Sequence, residues 1–161
     1  MPSTLSSRSL SLVVVSDPFE YPRLRNLLQY AWLPDHADIQ RVRSSREALP
    51  FLEDRDIDAI LVSATTGLED ALALLRQTRG MAEPVPVVIT GAENSRRSVD
   101  AFRTGAADFV TSDSLSSARL RVALRRAVAL GERDRMLMRA LRGWRSRQAS
   151  ELRQEQSEGA F

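Results

Sequence analysis

Four short segments carry most of the side chains that could do chemistry: "SD" at 16–17, "SATT" at 63–66, "TGA" at 90–92 and "TSDS" at 111–114. Their content is mainly hydroxyl, with carboxylates at Asp17 and Asp113. A hydroxyl becomes a nucleophile when a base takes its proton, and a carboxylate accepts a phosphoryl group when cations neutralise the incoming oxygens. The rest of the composition supplies neither readily. The 161 residues include no cysteine, which excludes thiolate nucleophiles, disulfides and thiolate metal sites. The one histidine, His36, sits in the loop-like "LPDHAD", so a conventional hydrolase triad and a histidine-rich metal cluster are not expected. All 23 basic residues are arginine, and therefore no lysine can act as a Schiff base, a phosphate-sensing ammonium or a P-loop cation.

Those segments owe their position to the elements before them. "LSLVVVSD" (10–17) is a β-branched run closed by a turn signal, a buried strand. "PRLRNLLQYAWL" (22–33) places Leu24, Leu27, Leu28 and Ala31 on one helical face, with Pro22 suited to the first turn. "DIQRVR" (38–43) alternates as a short strand, and "SSREALPFLED" (44–54) predicts a serine-capped helix that Pro50 should distort or shorten. "DAILVSATT" (58–66) is a third buried strand, and "LEDALALLRQTR" (68–79) an amphipathic helix stopped by Gly80. "VPVVIT" (85–90), "SRRSVDAFRT" (95–104, stopped by Gly105) and "DFVT" (108–111) continue the alternation. Strands alternating with helices five times over imply a parallel sheet with helices on both faces, whose ligands bind at the carboxyl ends of the strands.

With these strand ends in view, residues 9–130 resemble the receiver domain of two-component response regulators. The resemblance rests on "LVVVSD", "DAILVS", "VPVVITGA" and "GAADFV" in register, with Thr90 and Phe109 at the family's interval between switch hydroxyl and switch aromatic. It implies an α/β, flavodoxin-like (βα)5 fold, a doubly wound five-stranded parallel sheet. It also implies a phosphorylation pocket, and the departures fall there. Ser63 stands at the position of the phosphorylated aspartate, Ser16 and Asp17 at the acidic pair, and Ser112 at the lysine. A pocket reduced to Ser16, Asp17, Ser63, Thr90 and Ser112 is expected to lack catalytic residues, a metal and any cofactor, making the chain a pseudo-receiver and not an enzyme.

From about Ser116 a helical pattern runs to about 156, too long for one face of the domain. Leu120, Leu124, Ala127 and Val128 are expected to pack on the sheet. Beyond Gly131, Leu137, Leu141 and Trp144 follow 4-3 spacing continued by Gln148, with Leu152 further on, which points to a parallel homodimeric coiled coil. The competing expectation is a hinge near Gly131 with the distal helix folded back. Arginines on this helix interleave with acids, so nucleic acid is not the expected partner.

The chain therefore divides into a polar tail (1–8), a receiver-like domain (9–130) and a helical extension (131–161). The expected role is a dimerising regulatory module in bacterial signal transduction. In the family such a helix commonly leads into a PAS, GGDEF, EAL or kinase output domain, the second and third of these bringing in cyclic di-GMP. The chain is thus expected to be the amino-terminal part of a longer protein. Two other readings remain: the pseudo-receiver part of an ANTAR-like RNA-binding antiterminator, and a phosphoacceptor whose aspartate has migrated to Asp17 or Asp113. Without a signal peptide or a run of about 20 apolar residues, a cytoplasmic location is expected.

Overall fold

The computed structural model describes residues 9–54 and 56–159, so the expected tail at 1–8 lies outside the described residues. Five strands, β1 (Leu10–Val15), β2 (Ala37–Val42), β3 (Ala59–Ser63), β4 (Val87–Gly91) and β5 (Asp108–Thr111), form one sheet in the order β2-β1-β3-β4-β5. Every pairing is parallel. Helices α1 (Tyr21–Ala31), α2 (Ser45–Asp54), α3 (Leu68–Arg79), α4 (Ser95–Thr104) and α5 (Ser117–Glu158) fill the connections and the end. This is the doubly wound arrangement that the alternation implied.

The strand sequences follow from burial on both faces. β3, "AILVS", is buried at every position, and an unbroken apolar run is what a strand covered on two sides requires. Val13, Val15, Ile60, Val62 and Ile89 pack with α2, α3 and α4, while Leu12, Val14, Leu61 and Val88 pack with α1 and α5. Single-residue alternation thus sends each strand's side chains into two separate cores.

Local signals set the helix ends. Asn94 caps α4 by accepting from the amides of Arg96 and Arg97, and Gly105 closes it at φ 112°, a left-handed conformation costly for a side-chain-bearing residue. Ser116 caps α5 through the Arg119 amide. Pro50 neither ends nor shortens α2, which runs through it to Asp54. At the sixth helical position the missing N–H forfeits a single backbone bond.

α5 is unbroken over 42 residues, so the hinge near Gly131 does not form. Leu120, Ala123, Leu124 and Ala127 are fully buried on the sheet, and the helix then passes below it. Gly131 marks that passage: a Cβ there would lie 2.8 Å from Pro86 Cδ. Arg135 donates to the Ile57 carbonyl at 2.9 Å, and Arg139 pairs with Glu83 at 3.1 Å. The helix therefore remains fastened to the domain past residue 131. Gly131→Ala should lower stability by about 1–2 kcal/mol, the clash with a rigid ring outweighing the gain in helix propensity. Gly143→Ala, with nothing within 4 Å, should instead gain up to about 1 kcal/mol. Urea midpoints of the two variants check the opposite signs.

Candidate functional site

The carboxyl ends of β1 and β3 lie side by side where the strand order reverses, and a cluster of oxygens collects there. Asp17 follows β1. Its Oδ1 accepts from the amides of Phe19 and Glu20, both at 2.8 Å, fixing the turn that leads into α1. That turn brings the Glu20 carboxylate over the end of β3. Glu20 Oε2 accepts a short hydrogen bond from Ser63 Oγ and one of 2.8 Å from Thr65 Oγ1. Thr65 also approaches Ser63 Oγ at 2.8 Å and Asp17 Oδ2 at 3.2 Å. Ser63 caps the short 3-10 turn Ala64–Thr66 through the Thr65 amide.

The Glu20 amide, foremost, holds the Asp17 carboxyl below its ordinary value, against desolvation. The Phe19 amide, the Thr65 hydroxyl and the charge of Arg41 act in the same direction as Glu20. Arg41 lies with its guanidinium 5.5 Å from the centre of the Tyr21 ring, and its buried Nε and Nη2 have no hydrogen-bond partner among the described residues. A carboxylate depressed in the folded state stabilises above its ordinary value near 3.8, and the contribution is lost as pH falls through the lower folded value. Urea midpoints taken from about pH 5 downward should therefore fall more steeply for wild type than for Asp17→Asn, which keeps an oxygen for both amides.

Ser63 is buried at the tip of β3, in register with Thr90 at the tip of β4. The hydroxyls of Ser16 and Thr90 are both buried and without a hydrogen-bond partner among the described residues. Phe109 is buried, and its ring lies against Gly91, where a Cβ would come within 3.3 Å of Cζ. Ser112 is exposed at the start of a 3-10 turn, Ser112–Ser114, and among the described residues no hydrogen bond joins it to the cluster. The structure thus gathers Asp17, Ser63 and Thr65, keeps Ser16, Thr90 and Phe109 buried at neighbouring positions, and leaves Ser112 in solvent.

Glu20 was not among the residues expected from sequence. The signal was the spacing D-x-x-E at 17–20, an acid-capped turn with a glutamate three residues on. In the ordinary form of that motif the glutamate returns to the cap, whereas here it crosses to β3. The donor set suits a magnesium ion poorly: Asp17 Oδ1 is taken by two amides, and Asp17 Oδ2 and Glu20 Oε2 are engaged with hydroxyls. Ser16 offers a neutral oxygen where a carboxylate would be needed.

At the opposite end of the sheet, before the amino ends of β4 and β5, Leu137, Met138 and Leu141 of α5 form one wall of a groove of about 580 Å³. Its other wall is the domain floor, including Thr78, Pro86 and Ala106. Trp144 and Leu152 lie beyond it, both more than half exposed. No helix among the described residues is long and apolar enough to cross a membrane.

No family model matches the chain. It is 25% identical over 103 residues to the transcriptional regulatory protein ZraR of Escherichia coli O157:H7, an alignment that takes in 63% of this chain and 23% of that protein. Among solved structures it is similar to the signal receiver domain of an HD domain-containing protein from Pseudomonas fluorescens Pf-5. That match has a TM-score of 0.67 and 20% identity and covers 83% of this chain and 96% of the other. The receiver domain of a signal transduction histidine kinase from Syntrophus aciditrophicus matches at TM-score 0.62 and 24% identity, over 76% and 91% of the two chains. Strand order, helix placement and these likenesses agree: the chain has the fold of response regulator receiver domains.

Proposed function

We propose that this domain is a receiver module that signals without phosphorylation, and that it acts through a homodimer formed along α5 to position an output domain or dock a partner signalling protein. One observation carries the reading. The hydroxyl of Ser63, at the site where the resemblance places the phosphoacceptor, is hydrogen-bonded to Glu20, a carboxylate of the same chain. A serine cannot form an acyl phosphate, and here its neighbours are acids, which would repel an incoming phosphoryl dianion. The lysine that the family sets against such acids is absent from the sequence, and Ser112 at its position is exposed and neutral.

The reading excludes group-transfer chemistry by the domain and makes its surfaces the functional parts. Intact mass after incubation with acetyl phosphate and magnesium should show no added phosphoryl group, and beryllofluoride should leave the amide spectrum unchanged. Stoichiometric uptake, or a shift centred on Ser63 and Thr90, would sink the proposal.

A further inference from the structure

We infer that α5 pairs with α5 of a second copy of this chain in antiparallel orientation. The segment 148–158 of each copy would lie against the 130–140 segment, and the groove, of the other. The inference rests on the dimer proposed above and assigns its geometry, against the parallel coiled coil that the spacing alone suggested.

The first argument is continuity of one helical face. Leu130, Leu137, Leu141 and Trp144 lie on a stripe at 4-3 spacing with Asp134, and the last three are each more than half exposed. Followed toward the amino terminus, the same 4-3 spacing reaches Ala127 and Ala123, both fully buried on the sheet. A parallel partner in register would continue along this face into the space the sheet occupies, so it would have to diverge at Leu130. A partner running the other way approaches from below and meets the groove where Gly131 touches Pro86.

The second argument is charge. Residues 131–147 hold six arginines (133, 135, 139, 142, 145 and 147) against Glu132 and Asp134. Residues 148–158 hold Glu151, Glu155 and Glu158 against Arg153 alone. Parallel pairing sets the basic segment beside its copy and the acidic segment beside its copy. Antiparallel pairing about Trp144 sets Glu151, Glu155 and Glu158 of one helix beside residues 130–140 of the other, which hold Arg133, Arg135 and Arg139. It also brings Leu152 beside Met136 and Leu137, while Arg142, Arg145 and Arg147 face their own copies in either orientation.

Because the chain contains no cysteine, Gln156→Cys, at an exposed position, provides one labelling site. Light scattering and nitroxide–nitroxide distances would be measured on the labelled 161-residue chain at high micromolar concentration. The antiparallel pair separates the two 156 positions by about 35 Å along the helix axis, from a rise of about 1.5 Å per residue. A parallel pair holds them about 10 Å apart. A dimer with the long distance is expected. A dimer with the short one, or any distance far from 35 Å, overturns the antiparallel arrangement and leaves the dimer standing. A monomer by scattering overturns both.

Discussion

Ser63→Asp, which restores the acid that the receiver resemblance expects, should destabilise this protein by about 3–5 kcal/mol at pH 7. Ser63 is fully buried, and its hydroxyl donates to Glu20. The substitution removes that donor and sets a third carboxylate beside Asp17 and Glu20 in a site with no facing ammonium. Desolvation and like charge both raise the new group's folded pKa above its unfolded value. Its ionisation then opposes folding above the unfolded pKa, and the penalty shrinks as pH falls through the raised folded value. Urea unfolding of wild type and variant at about pH 7 and pH 5 checks both size and sign. Equal midpoints at pH 7 would mean the pocket tolerates a carboxylate at this position, and the account of it as a closed acid–hydroxyl cluster would fail. The variant should also take up no phosphoryl group, since an acceptor alone leaves the oxygens of the reagent unneutralised.

Leu124→Ala should cost about 2–5 kcal/mol, a large share of the roughly 5–15 kcal/mol available to a domain. Leu124 is fully buried in the core that α5 shares with Val14, Leu61, Val88 and Val110. Removing its branch leaves a cavity that a sheet and two helices cannot collapse to fill. Loss of the α5 anchor should also loosen the Gly131–Pro86 contact and so free the distal helix. Leu137→Ala, on the same helix but 55% exposed, should leave monomer stability within about 0.5 kcal/mol and act on self-association instead. Chemical unfolding at low protein concentration separates the two effects. If both variants lose stability equally, the groove face of α5 is part of the core and not a surface.

The two regions were not equally legible from residues. The parallel sheet could be read because its strands are buried on both faces, which writes runs such as "VVV" and "AILV" that no exposed strand needs. The helix stops at Gly80 and Gly105 were readable for a similar reason: the constraint is local, one or two residues wide. Asp17 as the cap of a turn belongs to the same class. Glu20 does not. Its partner Ser63 lies 43 positions away, and only the placement of β1 beside β3 converts a turn glutamate into a lid over a strand end. Likewise, Gly131 reads as a hinge in a helix considered by itself, because glycine lowers helix propensity. Against Pro86 it is instead the one residue small enough for the approach.

The sequence by itself determined that this protein is a five-stranded α/β domain with a long last helix, and that its strand tips carry hydroxyls where the receiver family carries an acid and a lysine. Those properties reside in residue identity and in periodicities of two and 3.6, which need no tertiary partner to be read. Tertiary structure alone decided that Glu20 closes over Ser63, that Ser112 stays out of the cluster, and that the helix remains fastened under the domain as far as Glu83. Each of these depends on a distance between residues far apart in the chain, and sequence spacing does not encode such distances until the sheet has set its strand order.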